Sequence, residues 1–253
     1  SLCPTPGCGR ASWNGQPGEF CSRGCRHAPR ASTADACPRP GCGKPSWNGE
    51  RGEFCSKSCR QPGQRAFCAP ATAAQREDVE QQLLGRWDAT RGAPPRIKQI
   101  YKVYNSSEVA ERFHEKCSSI GNVKLHGRGV NPGNQQRRFH GTTMRCQFRG
   151  QPCSTSGCSV CSIIKDGFSI ANLGQGSGND GYFGPGHYTT SLPSTAIGYG
   201  TGNALLVVNV AVGRGEVQTS RTASPVTQGF DSRVVNKSTH VDELLVPGDD
   251  QML

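Results

Sequence analysis

The feature that most constrains this chain is a cysteine pattern that occurs twice, 34 residues apart. Cys3, Cys8, Cys21 and Cys25 recur as Cys37, Cys42, Cys55 and Cys59. Trp13 and Phe20 recur at the same offset as Trp47 and Phe54, within SWNGQPGEFCSRGCR and SWNGERGEFCSKSCR. Residues 1–70 contain no Val, Ile or Met and a single Leu, Leu2. Such a segment cannot bury enough apolar area to offset roughly 1–2 kcal/mol of backbone entropy per residue. A covalent or metallic staple must hold it, or it is disordered. Two close thiols, a loop of a dozen residues and two more close thiols suit a tetrahedral four-cysteine zinc site. The alternative is a disulfide module, since four cysteines per unit also suit secreted chains. Trp-Asn-Gly reads as the turn between ligand pairs, because Asn-Gly readily takes positive φ.

The repeats define residues 1–28 and 35–62 as two small zinc modules. Residues 1–70 carry 10 Lys/Arg against 4 Asp/Glu, and two sites of four thiolates around one dication reduce this +6 to roughly +2. Arg26, Arg30, Arg39, Arg60 and Arg65 can touch phosphate, and Trp13 and Trp47 can serve recognition or structure. Binding of nucleic acid or protein by the modules is therefore an open expectation. No apolar run approaches the ~20 residues of a membrane helix, and no signal-peptide pattern is present, so no membrane partner and a cytoplasmic or nuclear location are expected.

Residues 63–72, with Gln, Pro, Gly and Ala, read as a linker to a larger domain over 73–253. Val79, Leu83 and Trp87 fall on one helical stripe, and Gly92, Pro94 and Pro95 end that element. Ile97 to Tyr104 reads as a strand. Asn105-Ser106-Ser107-Glu108 reads as a capping box before a helix with Val109, Phe113 and Cys117 on one face. Residues 121–136 read as a loop. Ala204 to Val212 is nearly all apolar and reads as a central buried strand. Val241 to Val246 reads as a short strand in which Glu243 shares a face with Val241 and Leu245. A carboxylate on such a face needs a partner or a task.

Chemistry gathers after Arg137. Arg138-Phe139-His140-Gly141-Thr142 precedes a second type of cysteine group, Cys146, Cys153, Cys158 and Cys161. Its closing Cys-x-x-Cys pair suggests a third zinc site, with free or buried thiols as the alternative. A Gly-rich run from Gly174 to Gly186 lacks the Gly-Lys-Ser/Thr of a phosphate-binding loop. It leads into Phe183-Gly184-Pro185-Gly186-His187-Tyr188, with Tyr199 eleven residues further on.

His-Gly-Thr, then Phe-Gly-x-Gly-x-Tyr, then a late Glu on a strand, in that order, resembles the catalytic domain of poly(ADP-ribose) polymerase-like enzymes. These belong to the diphtheria-toxin-type ADP-ribosyltransferases. The resemblance covers residues 73–253, most securely 137–253. It implies an α+β fold, a split antiparallel sheet that binds NAD in a cleft, here with a zinc-binding insertion. Insertions of that kind are similar to those of PARP-like proteins of fungal or plant type. By resemblance His140, Tyr188 and Glu243 form the catalytic triad. His140 bonds the adenosine ribose, the Gly141 backbone holds the nicotinamide amide, and Thr142 completes that NAD-binding motif. Tyr188 and Tyr199 pack on the nicotinamide, and Glu243 binds the 2′-hydroxyl of the nicotinamide ribose. Ala196 stands where the family often has a serine, and Pro185 where many members have Lys or Arg.

The residue types fit that chemistry without the resemblance. Cleaving the nicotinamide–ribose bond develops positive charge on the anomeric carbon, which a nearby carboxylate stabilises. Two aromatic faces hold a planar leaving group. The expected activity is NAD-dependent transfer of ADP-ribose to a protein or nucleic-acid acceptor. The alternatives are an NAD hydrolase with water as acceptor and a catalytically weak zinc-finger adaptor.

Overall fold

The computed structural model describes residues 1–3, 10–22, 25, 36–123, 131–172, 181–238 and 241–253, with backbone only for 236–238 and 241–242. Cys8, Arg26, Arg30 and the first part of the Gly-rich run lie outside the described residues. The chain is mixed α/β and divides into two compact units, one of Ser1–Gln61 with Pro70–Thr72, the other of Pro62–Ala69 with Ala73–Leu253. Among the described residues, no helix is long and apolar enough to cross a membrane.

In the smaller unit the described parts of the two repeats share their backbone hydrogen bonds. Cys3 N–H donates to Arg10 O and Cys37 N–H to Lys44 O, while Trp13 and Trp47 donate to Phe20 O and Phe54 O. Gly15 and Gly49 take φ of 72° and 75°, as an Asn-Gly turn requires. Ser56 caps the single-turn helix α1 (Lys57–Arg60) by accepting from Cys59 N–H. The two aromatics of each repeat part company. Trp13 and Trp47 are 70% and 69% exposed, whereas Phe54 is buried.

The larger unit holds a two-stranded sheet, β1 (Phe67–Pro70) with β2 (Tyr101–Tyr104), and a six-stranded sheet. β1 thus lies inside the stretch read as linker. Phe67 stacks on Tyr104 at 4.8 Å between ring centroids, a long-range contact that local composition does not reveal. The strand expected from Ile97 begins only at Tyr101.

The six-stranded sheet runs β5 (Leu205–Ala211), β3 (Gln135–Gly141), β4 (His187–Thr190), β8 (Val241–Val246), β7 (Ser232–Ser238) and β6 (Gly215–Gln218). Neighbours are antiparallel except β6 and β7, which are parallel. β5 is therefore the outermost strand of this order, not a central one. Its apolarity is explained by what covers it. Met252 bridges to Val210, and Asn209 and Leu253 exchange both backbone hydrogen bonds, so the edge is paired and both faces are packed.

On one face, Leu205 and Val207 pack with Phe139 under Leu83 of α2 (Ala73–Gly85) and Ala196 of α5 (Pro193–Ala196). Trp87, the last residue of the expected stripe, lies beyond the helix end but joins the same cluster. Phe113 and Cys117 of α3 (Ser107–Ile120) cover Ala211 on that face. The cap of α3 is Ser106, whose hydroxyl accepts from Val109 N–H, one residue later than the expected box. On the other face, Val208, Val210, Leu244 and Val246 pack with Phe168 and with Ile163 of α4 (Ser159–Asp166).

Candidate active site

β3 and β4 meet at Phe139 opposite Thr190 and then separate. Each keeps its outer neighbour, β3 through Gly141 with Leu205 and β4 through His187 with Val246. The opening between them is a cleft of about 370 Å³. His140, Gly141, Thr142, Tyr188, Tyr199 and Glu243, the six positions singled out in the sequence, all line it.

His140 spans the parting. Its Nδ1 lies 2.8 Å from the Tyr188 carbonyl oxygen. A carbonyl only accepts, so the proton sits on Nδ1 and Nε2 carries a lone pair. Burial pushes the imidazole down to about 4, beyond the opposing effect of that carbonyl bond. His140 is therefore neutral near pH 7, and Nε2 is an acceptor suited to a hydroxyl. Phe168 meets the rings of His140 and His187 edge-on, at 5.2 and 5.3 Å between centroids. His187, although adjacent to Tyr188, belongs to the opposite face of β4. Its Nε2 is 2.8 Å from Asp249 Oδ1.

Tyr188 has its hydroxyl engaged, accepting from Phe183 N–H at 2.9 Å and donating to Gly184 O at 2.8 Å. Its contribution to the cleft is thus the ring face. That turn is clamped by Arg233, which is 2% exposed. The guanidinium donates to the carbonyls of Phe183, Ser224 and Pro225 and forms an ion pair with Glu216 at 2.9 Å. Hydrogen bonds from Thr227 first, and then from Arg233, hold the Glu216 carboxyl below its usual range.

Glu243 is 4% exposed and opposes Thr190 on one side and Val235 on the other. Tyr199 donates to its Oε1 at 2.6 Å. Burial first, then Glu243, pushes the Tyr199 phenol above its ordinary value. Gly141 lies so close to α5 that a β-carbon there would collide with the Ala196 carbonyl. Ala196 itself is core, 1% exposed.

Eleven of the described cysteines gather in three groups, with Cys68 and Cys117 outside them. Cys37, Cys42, Cys55 and Cys59 form one, Cys146, Cys153, Cys158 and Cys161 another, and Cys3, Cys21 and Cys25 the third, with all Sγ atoms of a group within 4.8 Å. The pairs Cys21–Cys25, Cys42–Cys55 and Cys158–Cys146 lie 3.4, 3.6 and 3.8 Å apart. A disulfide requires about 2.05 Å, whereas a tetrahedron of thiolates 2.3 Å from zinc has edges of about 3.8 Å. Each group can hold a zinc ion. For the first repeat this rests on three thiols, since Cys8 is outside the described residues.

Sequence reading passed over His187, Phe168 and Arg233. Arg233 carried no signal comparable to that of Glu243, because its strand reads Ser-Arg-Val-Val-Asn-Lys-Ser, polar at five of seven positions. Phe168 carried none, because its role depends on two rings brought together from separate strands. No protein-family model matches the chain, and no curated protein matches it in sequence.

Proposed function

We propose that the chain is an NAD-dependent ADP-ribosyltransferase of the poly(ADP-ribose) polymerase-like kind, with its catalytic site in the β3–β4 cleft and zinc in all three cysteine groups. The observation that carries this reading is the convergence of a neutral imidazole, two tyrosines and a buried carboxylate on one cleft. His140 Nε2 accepts a ribose hydroxyl. Tyr188 and Tyr199 present their rings to the nicotinamide, and the Gly141 backbone stands beside its amide.

In the reaction, the bond from the anomeric carbon to the nicotinamide nitrogen breaks, and its electron pair neutralises the pyridinium. Glu243 stabilises the positive charge left on the ribose. An acceptor oxygen or nitrogen of a protein or nucleic acid then bonds that carbon and loses its proton to Glu243 or solvent. The tandem zinc modules recruit the acceptor or a partner, with Trp13 and Trp47 as exposed contacts.

The test is nicotinamide release from NAD by wild type and Glu243→Gln, alone and with DNA, RNA or protein added. Release that needs Glu243 and rises with one polymer supports the transferase and identifies its acceptor class. Equal release without any acceptor identifies an NAD hydrolase. Absence of release together with absence of NAD binding refutes the enzyme reading.

A further inference from the structure

The cysteine group of the larger unit stands in the wall of the cleft. Cys153 and Cys158 line it, and so do Ser154, Thr155, Ser156 and Gly157 between them. The wall takes in Thr142 and Thr143, next after Gly141, and then Cys153 to Cys158, from which α4 continues it with Ser159, Ser162 and Ile163. Over 142–157 the chain has no helix or strand, and its large apolar side chains, Met144 and Phe148, are only partly buried. The edge-on contact of Phe148 with Tyr101 and the bonds of Thr201 and Asn203 to the Met144 backbone hold the first half of this stretch, but neither reaches Cys153 to Gly157. Cys146 and Cys158, by contrast, lie 3.8 Å apart, and Cys146 and Cys161 3.6 Å apart. Binding a structural metal is in such cases the ordering free energy of the segment.

The group also reaches the chemistry from behind. Val160 N–H donates to Thr143 O at 3.1 Å, which ties α4 to the wall. Ile163 of α4 packs in the cluster that contains Phe168, and Phe168 meets the His140 ring edge-on.

We propose that zinc occupancy of Cys146, Cys153, Cys158 and Cys161 and dinucleotide binding in the cleft are linked. Zinc shapes the wall the dinucleotide lies against, and a bound dinucleotide tightens zinc binding at this group. The reciprocity is required by linkage. It rests on the reading of the cleft as an NAD site. The groups of the smaller unit are not part of that wall and are expected to be uncoupled from it.

The test uses the zinc-loaded full chain and carba-NAD, whose ribose ring oxygen is replaced by carbon so that it resists cleavage. Zinc is partitioned to equilibrium between the protein and a chromogenic chelator, with and without the ligand. Binding isotherms and hydrogen exchange over 142–158 and 187–190 are recorded in parallel. Saturating carba-NAD is expected to lower the zinc dissociation constant of one equivalent by about tenfold or more and to leave the others unchanged. Cys158→Ser/Cys161→Ser is expected to lose one equivalent, to bind carba-NAD about tenfold more weakly or worse, and to lose exchange protection over 142–158. Cys55→Ser/Cys59→Ser is expected to lose one equivalent and keep its affinity. A zinc affinity indifferent to a ligand that demonstrably binds would overturn the linkage. So would a Cys158→Ser/Cys161→Ser chain that loses zinc yet keeps affinity and protection. If that variant does not fold, the wild-type zinc affinities with and without carba-NAD decide alone. A wild type that binds no carba-NAD would refute the NAD reading. Exchange protection of the wall then decides whether zinc shapes it.

Discussion

Tyr199 donates its phenolic hydrogen to Oε1 of Glu243 at 2.6 Å, joining the turn after α5 to the middle of β8. The bond fixes one carboxylate oxygen of a residue that is 4% exposed. Glu243→Gln is expected to lower nicotinamide release by about 10²–10³-fold while carba-NAD affinity changes little. Comparable loss of affinity and turnover would assign Glu243 to ground-state binding instead.

Tyr199→Phe removes the donor and keeps the ring. A charged acceptor deprived of one partner costs about 1–3 kcal/mol, or roughly 3–10 °C in melting temperature for a chain of this size. Differential scanning calorimetry reads this directly, and an unchanged transition would show that solvent replaces the phenol.

Acid should weaken the fold through His140. Its folded value near 4 lies below the ordinary 6.5, so between those values the unfolded chain binds more protons and stability rises with pH. The contribution is complete above pH 6.5 and is lost as pH falls towards 4. Allowing for solvent in the cleft, it is on the order of 2 kcal/mol. His187, also lowered by burial, acts in the same direction. Urea midpoints at pH 4.5 and 7.5 should differ less in His140→Gln than in wild type. An identical difference would show that other groups carry the acid response.

Arg233→Met should cost about 3–5 kcal/mol, because Glu216 keeps its charge without its guanidinium. Since Arg233 holds the Phe183 carbonyl, and the backbone of Phe183 and Gly184 holds the Tyr188 hydroxyl, turnover should fall even where the protein remains folded. Arg233→Lys, which keeps the charge but not the planar fork, separates the two effects. Full activity in that variant would limit Arg233 to stability.

In the second repeat, Trp47→Ala should change stability by less than about 0.5 kcal/mol, as an exposed site does. Phe54→Ala should cost about 3–5 kcal/mol and weaken metal retention by Cys37, Cys42, Cys55 and Cys59. Chelator titration of both variants checks this. Equal losses would mean that Trp47 also has a packing role.

What the sequence made legible was what depends on near neighbours or on repetition. The cysteine groups follow from spacing, and the repeat turns follow from Asn-Gly. The helix from Ser107 follows from its cap and its stripe of Val109, Phe113 and Cys117. The positions from His140 to Glu243 were found by their order along the chain, and they line one cleft. What stayed hidden depends on distant pairing. β5 looked central because its residues are apolar, but helices and Met252 cover an apolar strand as well as neighbouring strands do. β1 looked like linker because its partner is more than thirty residues away. The clamp of Arg233 on Phe183 needs the whole sheet to be assembled first.

The imidazole between β3 and β4 gives the cleft an adjustable gauge. Paired strands keep a fixed backbone spacing of about 4.8 Å, and a groove built from backbone alone changes only when residues are inserted or deleted. Here the first contact across the parting is made by the His140 ring and the Tyr188 carbonyl, so the aperture scales with one side chain. A substitution at His140 therefore acts on the opening itself, while the backbone pairings of β3 with β5 and of β4 with β8 do not involve that side chain.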